Sequence, residues 1–192
     1  MKKTLLFFML AAACCGLMFS SCSKVTAVVA KATGISWSGM DMTVTVPVVT
    51  DTSAHPSIAN GAFTYNLDSL IKSQTSNLLG LANIDTFEIT SCTLTIQNPD
   101  ANDNFANFEM ANLSFSTNYN ATALPPIAEI GNNPNTYATT LNVPVNIINL
   151  KSYVSPVGAT TFSYAMGGKL RTSTTDSLTV NIHLGYYIHV TP

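Results

Sequence analysis

Three sets of residues in this 192-residue chain have the types and spacing to do chemistry. The first is Cys22, closing the run Phe19-Ser20-Ser21-Cys22, where a thiol could be modified covalently. The second is Asp100, Asn102, Asp103 and Asn104, hard oxygen ligands close enough in sequence to hold calcium. An EF-hand loop would need glycine where Phe105 stands and an acid where Ala111 stands, so that pattern fails. A loop of Asx turns is the simpler reading. The third set is Trp37, Tyr119, Tyr153 and Tyr187, which could stack on sugar rings if they share one surface. Spread singly, they are ordinary packing residues.

Catalysis finds no comparable foothold. There is no GxSxG elbow, P-loop, HExxH or GxGxxG after a strand. His183 and His189 fall on one strand face but about 20 Å apart at the strand rise, too far to share a metal. No cofactor motif is present, and non-catalytic work without a cofactor is expected. Charged residues make up 9% of the chain, against a usual quarter, and Arg171 is the sole arginine. With a net charge of −2 and no basic patch, nucleic acid is excluded as a partner.

The first residues explain the cysteine. Lys2 and Lys3 form a positive start, Thr4 to Phe19 an apolar run, and Ser20-Ser21-Cys22 a small-residue close. This is a secretory leader, and the apolar run is shorter than the roughly 20 residues of a membrane span. Phe19-Ser20-Ser21-Cys22 resembles the lipobox of bacterial lipoproteins, with Phe19 in place of the preferred leucine. That resemblance implies lipidation of the Cys22 thiol with palmitate-type chains, cleavage before it and acylation of the new amine. Cys14, after three alanines, is a rival site, but cutting there would leave Gly16-Leu17-Met18-Phe19 near the mature start. With Cys22 lipidated, Cys92 is the one remaining thiol and no internal disulfide can form. Cys92 shares a strand face with Leu94 and Ile96 and reads as a buried, inert thiol. The leader with a Thr/Asn-rich domain behind it is similar to lipoproteins of the Bacteroidota. Surface-exported members of that group carry acids just after the cysteine. Here Asp41 is the first acid, which points to the periplasmic face of the outer membrane. Three parts follow: a signal peptide at 1–21, an anchor and tether at 22–40, and a single domain at 41–192.

The elements behind that tether are strands. Thr86 to Thr117 holds two alternating runs around Asn98-Pro99-Asp100. On the first, Glu88, Thr90, Cys92, Leu94 and Ile96 share one face, and Phe87, Ile89, Ser91, Thr93 and Thr95 the other. The pair is expected to form a long antiparallel hairpin with an Asn/Asp-rich loop. Ser177 to Val190 alternates most clearly, with Val180, Ile182, Leu184, Tyr186, Ile188 and Val190 facing in. Thr50 to Asn60, with His55-Pro56, reads as a loop. Asp68 caps an amphipathic helix over about 68–79. About seven strands and one helix predict an all-β antiparallel sandwich, with a twisted barrel as the alternative.

The second half resembles the LEA14/WHy family of immunoglobulin-like sandwiches. The resemblance rests on Ile96-Gln97-Asn98-Pro99, Leu113-Ser114-Phe115, Val143-Pro144-Val145, Leu150 to Val154, Phe162 to Gly168 and Leu178 to Val190. It spans about residues 90–190, with an insert at 118–136. It implies an immunoglobulin-like β-sandwich without catalysis and supplies no binding residues. The expected function is a lipid-anchored envelope module contacting a protein partner. The alternative is a glycan-binding lipoprotein using the exposed aromatics, with or without calcium.

Overall fold

The computed structural model describes residues 34–122 and 126–192. The leader, Cys22 and the segment before Gly34 lie outside the described residues. Among the described residues eight strands form: β1 Gly34–Val46, β2 Ala54–Tyr65, β3 Ile84–Ile96, β4 Phe108–Thr117, β5 Ala128–Ile130, β6 Thr140–Asn142, β7 Thr160–Leu170 and β8 Leu178–Val190. They make two four-stranded antiparallel sheets, ordered β1-β8-β3-β6 and β2-β7-β4-β5. The expected all-β antiparallel sandwich is therefore what the chain forms.

The pairing has a simple logic. β1 pairs with β8, β2 with β7, β3 with β6 and β4 with β5. The chain is thus one long antiparallel ribbon, folded at its middle and rolled so that alternate pairs fall in opposite sheets. That is the eight-stranded jelly-roll arrangement. An immunoglobulin sandwich sets its first two strands side by side in one sheet, whereas here β1 and β2 lie in opposite sheets.

The same order corrects the expected central hairpin. β3 and β4 do not pair; the Asn/Asp-rich loop carries the chain from one sheet to the other. β3 also breaks its own alternation. Phe87 and Ile89 are buried, and so are Cys92, Leu94 and Ile96, two sets that a regular strand would point apart. The register shifts between Ile89 and Ser91, a bulge that resets the parity. Gly185 of β8 lies opposite, where a Cβ would collide with the Ser91 Oγ.

β8 runs through the middle of its sheet and buries Val180, Ile182, Leu184, Tyr186, Ile188 and Val190, as its alternation predicts. These face Phe162, Tyr164 and Met166 of β7 and Leu113 and Phe115 of β4 across the core. The Tyr164 and Tyr186 hydroxyls meet there at 2.7 Å, one from each sheet. Burial pushes both phenols well above their ordinary value.

Three boundaries differ from expectation. β1 starts at Gly34, so 34–40 belong to the sandwich and not to a tether. β2 starts at Ala54 and takes in His55-Pro56, with a register shift between His55 and Ala59 at the proline. The helix, α1, is Leu67–Gln74. Its cap is Asn66, whose Oδ1 accepts the Ser69 N–H at 3.1 Å. It stops early because Ser76 and Asn77 adopt positive φ angles of 53° and 63°.

Strand direction gives the sandwich two distinct ends. Gly34, Tyr65, Ile84, Thr117, Thr160 and Val190 lie at one, with α1 and the loops holding Tyr119 and Lys151–Gly158. Because β1 starts there, it is the entry end. Val46, Ile96, Phe108, Leu170 and Leu178 lie at the other, the far end, with the loops around Asp100 and Thr172.

Candidate functional site

The far end holds the densest polar structure. Asp103 is 1% exposed yet fully engaged. Its carboxylate accepts the Thr175 N–H at 2.8 Å, the Thr175 hydroxyl, and the Asp176 N–H at 3.0 Å. Asp100 Oδ1 accepts the backbone N–H groups of Asn102 and Asp103. The carboxylates of Asp100, Asp103 and Asp176 come within 4.8 Å of one another. Of the four predicted calcium ligands, then, only Asp100 and Asp103 converge. Asn104 turns inward: its Oδ1 accepts the Ala106 N–H, and its Nδ2 donates to the Asp100 and Ala101 carbonyls. Asn102 is exposed, with its N–H bound by Asp100. Both oxygens of the central Asp103 carboxylate already serve as acceptors, so the loop is stitched to residues 175 and 176 by hydrogen bonds.

Two partners of this network were not visible in the pattern of residues. Asp176 arrives from the loop between β7 and β8, and only the strand order places it beside Asp103. Arg171 sits on the same loop. Its guanidinium donates to the carbonyls of Ala106, Phe108 and Asn133, so it clamps its own loop to two other segments. Asn133, 4% exposed, adds two bonds from its Nδ2 to the Phe105 and Phe108 carbonyls. The Gly-Asn-Asn-Pro run around it was the available signal, because a buried asparagine needs partners.

The four candidate aromatics do not share a surface. Trp37 points into the sandwich, stacked at 4.4 Å on Tyr65 and 5.4 Å on Tyr186. Tyr153 is buried against Phe115. Tyr187 lies on the outward face of its sheet, beside Gly34. Tyr119 alone of the four is widely exposed, at 55%. It borders an open trough of about 610 Å³ at the entry end, with Leu81, Ile84, Lys151, Val154 and Pro156 among its walls.

All three histidines contact aspartates. His183 lies 2.7 Å from Asp41, His189 3.2 Å from Asp85, and His55 3.7 Å from Asp51. His183 and His189 share the outward face of β8, as expected, and each ties β8 to a neighbouring strand. Cys92 is buried, and burial pushes its thiol up to about 12, so little thiolate exists near neutral pH.

No protein-family model and no curated protein matches this chain. Among solved structures it is similar to a chain of infectious bursal disease virus Gt strain, at 10% identity and a TM-score of 0.36. That match covers 81% of this chain and 33% of the other, so this chain spans about a third of the viral one. A Desmodium yellow mottle tymovirus chain is 14% identical, with 83% and 87% covered and a TM-score of 0.27. A black queen cell virus chain is 10% identical, with 84% and 70% covered and a TM-score of 0.34. The fold described above rests on strand order and not on these likenesses.

Proposed function

We propose that this chain is a lipid-anchored cell-envelope protein, attached to the outer membrane through Cys22 and facing the periplasm. In this reading it works as a non-catalytic structural or interaction module. The observation that carries the reading is the opposition of the two ends. The described domain begins at Gly34 on the entry end. A lipid on Cys22 therefore leaves the hydrogen-bonded loops of the far end pointing away from the anchor. Buried, mutually satisfied polar loops of that kind hold one shape, and a fixed shape suits recognition.

A second feature supports contact with partners. β1 is a 13-residue edge strand, paired on one side only, with β8. Asp41 is its one charged residue, so an incoming extended segment meets little electrostatic obstacle. The glycan reading, by contrast, needs an aromatic platform, and Trp37, Tyr119, Tyr153 and Tyr187 point in different directions.

The module reading is tested by photocrosslinking in cells. A photoreactive residue replaces Asn102 or Ser173 at the far end, Thr43 on the β1 edge, or Ser163 on the outer face of the second sheet. Discrete protein adducts at the loops or the edge are expected, with Ser163 silent. Adducts at no position, or equally at Ser163, would contradict the reading.

A further inference from the structure

We propose that the entry end is a membrane-facing surface, resting on the head-group layer of the bilayer that holds the Cys22 lipid. The inference rests on the anchoring reading above and adds an orientation to it.

Reach is the first argument. Even fully extended, the stretch from Cys22 to Gly34 covers at most about 40 Å. The entry end is where that stretch joins the domain, so it is held closest to the lipid.

Surface chemistry is the second. Val157 is 77% exposed, Tyr119 55% and Leu78 41%, and all three lie at the entry end. A second depression, walled by Asp68, Lys72, Pro156 and Val157, shares Leu81, Ala82 and Pro156 with the trough beside Tyr119, so the two are continuous. Exposed apolar side chains beside a tyrosine suit a bilayer interface, where a ring can sit with its hydroxyl still wet.

Charge is the third. Lys151 is exposed and has no carboxylate within ion-pair distance among the described residues. The acids at this end are engaged: Asp68 by Lys72 at 2.6 Å, and Asp85 by His189. Lys24 and Lys31 lie in the stretch leading to Cys22. Positive charge on that side of the domain favours phosphate head groups, at about 1 kcal/mol per lysine near an anionic surface.

The test uses the full chain, lipidated in a host and reconstituted into phosphatidylethanolamine–phosphatidylglycerol vesicles. Single cysteines replace Tyr119 and Val157 at the entry end, and Val48 and Tyr137 near the far end. Cys92 is buried and stays unlabelled, so one environment-sensitive dye reports each position. Unchanged melting temperatures confirm that these exposed changes leave the fold intact. Nitroxide-labelled head groups are expected to quench the dye at 119 and 157 several-fold more than at 48 and 137. Equal quenching at both ends in a protein that carries the lipid overturns this inference and leaves the anchoring reading standing. Absence of lipid on Cys22 removes the anchoring reading and this inference with it.

Discussion

Replacing Tyr186 by phenylalanine removes one oxygen from the middle of the core and leaves another stranded. The Tyr164 and Tyr186 hydroxyls bond at 2.7 Å, and the two residues are 2% and 1% exposed. Among the described residues they are each other's only hydrogen-bond partners, so either single substitution strands a buried hydroxyl. A stranded buried polar group costs about 1–3 kcal/mol, while replacing both partners with apolar groups of the same shape can be nearly neutral. Tyr164→Phe and Tyr186→Phe should therefore each lower the melting temperature by about 2–12 °C, at roughly 2–4 °C per kcal/mol for a domain of this size. The double variant should lie well above the sum of the two, with a coupling of about 1 kcal/mol or more. Urea unfolding of all four proteins measures it. Additive single effects would refute the argument, because each hydroxyl would then have another partner.

Other perturbations follow from the same geometry. Asp103→Ala strands the Thr175 and Asp176 N–H groups and should cost about 2–4 kcal/mol, read by thermal melts. Excess calcium should leave the wild-type melting temperature unchanged, since both Asp103 oxygens already accept hydrogen bonds from protein donors; a rise would show that the three carboxylates hold the ion. Gly168→Ala puts a Cβ 2.5 Å from the Met110 carbonyl oxygen, a backbone atom that cannot swing aside, and should destabilise by about 1–3 kcal/mol on unfolding. The Lys72 ammonium beside Asp68 holds its carboxyl below the ordinary value. A lowered folded-state value means the contribution is present above about pH 4 and is lost as pH falls through that lowered value. Asp68→Asn should flatten the acid side of a stability–pH curve by a few tenths of a kcal/mol, since the pair is partly solvated.

What alternation reveals is the face of a strand, and what it hides is the neighbour. β8 was legible in full because its apolar residues hold one parity from Val180 to Val190 and the opposite sheet covers that one face. β3 was legible as a strand but not in its face, because a bulge at Thr90–Ser91 costs no apolar residue and leaves no mark in the pattern. The expected β3–β4 hairpin failed for a related reason. Two strands joined by a loop can pair in one sheet or face each other across a core, and both arrangements bury one side of each. Pro56 argued for a loop, yet a register shift at an edge strand accommodates it. At the far end, the Asp100 turn could be read from Asn98-Pro99-Asp100, while its contacts with Thr175 and Asp176 span more than 70 positions. The aromatics carried no spacing signal at all. Trp37 looked like a tether residue and lies in β1, stacked between two tyrosines.

The lipid proposed on Cys22 fixes everything said of anchoring and orientation, and one comparison tests it. Wild type and Cys22→Ala are expressed in a related host with labelled palmitate, then fractionated and treated with protease on intact cells. Wild type should be labelled, membrane-bound and resistant to external protease, and Cys22→Ala unlabelled and released from the membrane. Persistent label on Cys22→Ala, or no label on wild type, would contradict it.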